Sequence, residues 1–227
     1  MPRTLTAPIA RRAGSTPAGP AQAPRATRLL LRGGVLAGPL FLVAGTAQGL
    51  TRDGFAFTRN AISQLALGEA GWIQTANFLL TAALLAAGAI GLRRALRRGA
   101  GGTWGPVLVG VLAASFLAAA LFAADAGAGF PAGAPDATSL SADGAAHMIS
   151  GMAGYLALCA AFLVLAGPLA ARGHRGWAVA SRLVPLGVLA GFAGSSATVL
   201  AFTLGAGLGL VWLAAVTARL LTDVSHP

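Results

Sequence analysis

The sequence predicts an all-α membrane protein: six transmembrane helices in a bundle, behind a disordered N-terminal tail. Three observations carry that prediction. Hydrophobic residues make up 56% of the 227 residues, and the mean hydropathy is +0.74. Only 10% of residues are charged, whereas a soluble domain needs about 25% to cover its surface. Apolar runs of the length that crosses a bilayer, about 20 residues, recur along the chain.

Each element follows in order. Residues 1–28 are rich in Pro, Ala, Thr, Gly and Arg with little apolar periodicity, and read as a disordered cytoplasmic tail. Spans are expected at residues 29–50, 72–92, 104–124, 148–171, 183–202 and 204–221, and residues 222–227 as a short cytoplasmic tail. The domain is therefore residues 29–221. The apolar stretch 183–221 is too long for one ordinary span. The run Thr203-Leu204-Gly205-Ala206-Gly207 offers the turn of a tight helical hairpin, with one long tilted helix as the alternative. Gly45-Thr46-Ala47 has the small-x-small form of a signal-peptide cleavage site, but the basic tail and apolar run before it exceed a signal peptide's proportions. Span one is expected to stay.

Charge orients the threading. The formal net charge is +10, and every basic side chain other than histidine is arginine. Arginines at 3, 11, 12, 25, 28 and 32 precede span one, those at 93, 94, 97 and 98 follow span two, those at 172, 175 and 182 lie between spans four and five, and Arg219 ends span six. Only Arg52 and Arg59 fall on the other side. By the positive-inside rule both termini are cytoplasmic, and the protein is a multi-pass membrane protein. Such arginines contact anionic lipid headgroups. Nucleic acid is not an expected partner, because the arginines flank apolar segments and are never interleaved with exposed aromatics. Cys159 stands alone, which excludes an intramolecular disulfide and a cysteine-based zinc site. No cofactor is expected.

No charged side chain falls near a predicted bilayer midplane, which argues against an ion-coupled carrier. Polar side chains gather instead toward the outer ends. Between Arg59 and Leu80 stand Asn60, Ser63, Gln64, Glu69, Trp72, Gln74 and Asn77; Asp125 closes span three, and Asp143 and His147 stand at the start of span four. The plain explanation is that interfaces are wet and polar groups cost little there. The sharper one is an outward-facing polar pocket formed by Asn60, Ser63, Gln64, Trp72, Asn77, Asp125, Asp143 and His147. It would lie under the loops at 51–71 and 125–146, with membrane lipids, a partner helix or a second copy as the occupant. Asn60–Leu67 is expected to form a short helix or turn, since Ile62, Leu65 and Ala66 share a helical face. Gly34-x-x-x-Gly38, Gly45-x-x-x-Gly49 and Gly187-x-x-x-Gly191 have the spacing of close helix packing.

His147 with Asp125 or Asp143 is the one candidate for acid–base chemistry, as an outer-leaflet enzyme or transporter. Its carboxylates lack metal-ligand spacing, and a hydrogen-bonded interfacial histidine is the plain alternative. His174 and His226 are placed on the opposite side. The chain carries no Walker motif, no G-x-S-x-G and no H-E-x-x-H. No catalytic residue is assigned.

The string "FAFTRNAISQLALGEAGWIQTANFLLTAALLAAGAIGLRR" resembles the bacterial six-span membrane family catalogued as domain of unknown function 998. The matching positions are Ala61, Ile62, Ser63, Leu65, Gly68, Trp72, Asn77, Phe78, Gly91 and Leu92, with His147 at the start of span four. The resemblance covers residues 29–221. It implies six helices and a bacterial inner membrane, and no established activity. The very short fifth loop departs from the family pattern. The Lys-free, Ala- and Arg-rich composition suits a high-GC genome.

Overall fold

A helix satisfies its backbone hydrogen bonds internally, which is the condition for crossing lipid. In the computed structural model, which describes residues 25–96, 99–137 and 139–225, six helices are long and apolar enough to do so. They are α1 (Arg25–Thr51), α2 (Gly71–Ala95), α3 (Gly99–Leu121), α4 (Ala142–Ala171), α5 (Arg175–Gly194) and α6 (Val199–Ser225). A single 3-10 turn, Ile62–Ala66, interrupts the first long loop. The expected tail at 1–24 lies outside the described residues, while residues 25–28 already belong to α1.

Each helix packs on its neighbours in the chain, and α1 also packs on α6, so the six close into a ring in chain order. The chain reverses between α2 and α3, and short connections at residues 172–174 and 195–198 reverse it again. Both long loops and the α5–α6 turn therefore share one end, the loop end. Arg93, Arg94, Arg172, Arg175 and Arg219 belong to the other, the arginine end.

Glycine sets the closest approaches. A Cβ on Gly34 would lie 3.0 Å from the Gly88 Cα, so α1 and α2 touch backbone to backbone. Gly191 and Gly205 do the same for α5 and α6, where a Cβ on Gly191 would come within 2.6 Å of the Gly205 Cα. Leu31, Leu85, Leu158, Phe162, Leu165 and Leu213 fill the core between these seams.

Several helix ends differ from expectation: α4 begins at Ala142 rather than 148 and α5 at Arg175 rather than 183, and two further differences have identifiable physical reasons. The hairpin of 183–221 exists, but it turns at residues 195–198 rather than at 203–207. Ser195 and Ser196 donate their hydroxyls back to the Phe192 and Ala193 carbonyls, and Thr198 N donates to the Gly194 carbonyl, which ends α5. Gly205 is a packing contact inside α6 and not a turn. The second difference is α6, which runs to Ser225 through residues expected as tail. His174 Nε2 lies 3.0 Å from Asp223 there and 3.2 Å from Arg219 Nε, and Asp223 pairs with Arg219 at 3.1 Å and Arg172 at 3.9 Å. This cluster clasps the last turn of α6 onto the α4–α5 connection.

Candidate functional site

The loop between α1 and α2, residues 52–70, shuts the mouth of the ring. Arg52 donates to the Leu65 and Leu67 carbonyls at 3.2 and 2.7 Å and lays its guanidinium on the Phe130 ring. Asn60, wholly buried, accepts from Ala56 N through its side-chain oxygen and donates to the carbonyls of Gly127 and Ala128. Gln64 accepts from Ala61 N and donates to the Asp125 carbonyl. Val199 N and the Thr198 hydroxyl both donate to the Thr58 carbonyl. The first loop is thus tied to the second loop and to the α5–α6 turn. It forms a lid across the loop end, seated on α1 where Gly45 and Gly49 leave room for Ile62 and Phe57. The short helix expected over Asn60–Leu67 is present as the 3-10 turn, with Ile62 and Leu65 buried beneath it.

Below the lid lies a cavity of about 430 Å³. All six helices and the lid contribute to its walls. Phe41 comes from α1, Ile62 and Ser63 from the lid, Phe78 from α2, Phe116 from α3, Tyr155 from α4, Phe192 from α5 and Phe202 from α6. The rings of Tyr155, Phe192 and Phe202 cluster at 4.9 to 6.4 Å, and Phe41, Phe78 and Phe116 make a second cluster at 5.0 to 6.0 Å.

Polar groups on these walls are few, and the Ser115 and Ser195 hydroxyls donate to carbonyls of their own helices, Leu112 and Phe192. His147 Nδ1 lies 2.9 Å from the Phe122 carbonyl, and its ring stands edge-on to Phe78. A carbonyl oxygen only accepts, so in the neutral ring Nδ1 carries the proton and Nε2 is left as an acceptor. Among the described residues the hydroxyls of Ser63, Tyr155 and Thr203 make no hydrogen bond. Of these, Thr203 Oγ1 is fully buried, and since buried polar atoms are normally paired it calls for an explanation.

Of the eight residues read from sequence as an outer polar pocket, the structure brings Ser63 and His147 to the cavity. The others serve elsewhere. Asn60 and Gln64 stitch the lid. Asn77 donates to the Phe41 carbonyl and to Gln74 Oε1, which also accepts from Gln48 Nε2, in a buried amide chain between α1 and α2. Trp72, at the start of α2, is 70% exposed on the bundle's outside. Asp125 Oδ2 accepts from Ser141 N, and the Ser141 hydroxyl caps α4 by accepting from Gly144 N, so this carboxylate positions a helix start. Asp143 is exposed in the first turn of α4, where a negative charge suits the helix dipole. Neither carboxylate contacts His147, and among the described residues no three His, Cys, Asp or Glu side chains gather to hold a metal. The pocket is thus apolar with a few polar groups, rather than polar as the sequence suggested. Tyr155, Phe192, Phe202 and Thr203 were missed. Tyr155 is the chain's one tyrosine, set within an apolar run, and that singularity was the available signal.

No curated protein and no solved structure gives a significant match to the chain. A family model described as a protein of unknown function (DUF998) matches residues 35–219. That match takes in the helices, the lid and the cavity alike, and the chain belongs to this family.

Proposed function

We propose that this integral membrane protein is a non-enzymatic binder that holds a lipid or other small amphiphile in the cavity at the centre of its helix ring. The observation that carries the reading is the cavity itself: aromatic walls drawn from all six helices, with unpaired hydrogen-bonding groups on them. Ligand sites are concave, mostly apolar and furnished with a few placed polar groups, and span about 300–1,000 Å³. A partner helix, about 10–12 Å across with its side chains, would have to part the ring to enter. The acid–base alternative finds no support in the contacts, since Asp125 is committed to Ser141 and Asp143 points to solvent. The arginine distribution supports a threading with both termini in the cytoplasm and the lid outside, in a bacterial plasma membrane.

Gly151 lines the cavity and has nothing within 4 Å of where a Cβ would stand. Gly151→Phe should therefore fill the cavity without disturbing backbone packing. Gly110→Phe, also on an unobstructed glycine but outside the cavity, is the control. Native mass spectrometry of protein released from mild detergent should show a retained lipid in the parent and the control, and none in Gly151→Phe. A lipid retained equally by all three would refute the reading.

A further inference from the structure

Resting on the cavity reading, we propose that the ligand is a single-chain membrane amphiphile with a hydrogen-bond-donating head, admitted sideways from the bilayer between α4 and α5. The end-on route is closed. The lid is tied down through Asn60, Gln64 and Thr58, and Ile62 fills the space beneath it. Toward the arginine end, fully buried Leu158, Phe162 and Leu210 block passage.

The side seams are unequal. Backbone contact closes α1 on α2 at Gly34 and Gly88, and α5 on α6 at Gly191 and Gly205. A Cβ on Gly38 would strike the Leu210 carbonyl of α6, and one on Gly154 would strike Ser115 of α3. Nothing comparable joins α4 to α5 toward the loop end, where Gly151 of α4 stands in open space. These two helices are joined at the arginine end by the turn at 172–174 and still touch where the Tyr155 and Phe192 rings meet at 5.4 Å. They run antiparallel, so one turn further toward the lid Met152 comes opposite Ser195. Met152 and Met148 line the cavity and are also 46% and 64% exposed. They form one rim of an opening beside which Ile149 of α4 is exposed and apolar. In a membrane-spanning bundle such a flank faces acyl chains. Flexible methionine side chains can move aside for an entering chain and close behind it.

The head is selected under the lid. His147 Nε2 offers a lone pair, and the Ser63 hydroxyl is unpartnered, so a hydroxyl or amine on the ligand would satisfy both. A cavity of about 430 Å³, near the lower end of ligand-site sizes, suits one chain rather than two.

The full-length chain carrying Cys159→Ser, in phosphatidylcholine nanodiscs, tests this. One variant adds Met152→Cys and Ser195→Cys, to be bridged across the opening by a short bis-maleimide. A second adds Thr58→Cys and Thr198→Cys, which bridges the lid to the α5–α6 turn. The probe is a monoacylglycerol with a diazirine in its acyl chain, and adducts are mapped by mass spectrometry. Adducts on cavity residues are expected in unbridged and lid-bridged protein and should be lost when the α4–α5 opening is bridged first. They should survive when the probe is loaded before bridging. Labelling that persists with the opening bridged, or that is lost only when the lid is bridged, overturns lateral entry and leaves the cavity reading standing. Absence of cavity adducts in the unbridged protein overturns the cavity reading as well. Methylating both glycerol hydroxyls of the probe should abolish labelling; undiminished labelling would overturn the donor-head requirement.

Discussion

Asn60 shows how a polar residue in a greasy chain can mislead. From sequence it is a pocket candidate, because a polar side chain between two spans invites a ligand. In the structure its oxygen and its amide are both spent on backbone groups of two loops. Replacing it by alanine leaves the Ala56 N–H and two carbonyls without that partner in a buried place, a loss of about 1–3 kcal/mol. Thermal unfolding in detergent should show a lower midpoint for Asn60→Ala, whereas Asp143→Ala, on an exposed carboxylate, should leave the midpoint in place. Equal midpoints would mean the lid is not held as described. The cavity aromatics illustrate the opposite difficulty. Phe192 and Phe202 sit in uniformly apolar helices, and a lipid-facing phenylalanine looks the same in sequence as a cavity-lining one. Only the ring's geometry separates them.

At the scale of the helices, the number of spans, the first-loop helix and the hairpin in 183–221 were all legible, because apolar run length and i, i+3, i+4 spacing are strong signals. Helix ends were less so. Gly205 and Gly207 read as a turn, since glycine breaks helices in water; inside a membrane bundle the same residue permits close packing, and the serines at 195 and 196 end the helix instead. Gly191→Leu should therefore force α5 from α6 and reduce the yield of folded protein, while Gly176→Leu, with nothing within 4 Å, should not. Gel-filtration recovery of the two variants from detergent compares them; equal recovery would deny the contact. The end of α6 was misjudged because its clasp is long-range. Nothing local to Asp223 announces that His174, 49 residues earlier, will meet it. Asp223→Asn removes the charge shared by Arg172, His174 and Arg219, and hydrogen exchange over the last turn of α6 should quicken. Unchanged exchange there would show the clasp to be idle.

For the whole molecule, the ring order was not legible at all, since no local pattern states which helices will touch. Orientation, by contrast, is a sequence-level property set by arginine placement. Asp136→Cys and Gly173→Cys, each in a Cys159→Ser chain, probe the two ends at exposed positions. An impermeant maleimide applied to intact cells should label position 136 and spare 173 until the membrane is opened. The reverse pattern would invert the threading and put the lid in the cytoplasm.

The packing of α1 on α6 also dictates an order of assembly. During synthesis each arriving helix can settle on the one just inserted, through α2 to α5, using contacts close in the chain. The face of α1 that carries Gly38 has no partner until Leu210 is made. It must wait in lipid, or against the insertion machinery, until α6 is made. Only then can Val199 N donate to the Thr58 carbonyl, so the lid already tied to the second loop gains its last fastening, and the chamber its last wall, when α6 arrives. A ribosome stalled before α6 would leave an open five-helix arc with its first helix unpaired, a form that membrane quality-control proteases could distinguish from the finished ring.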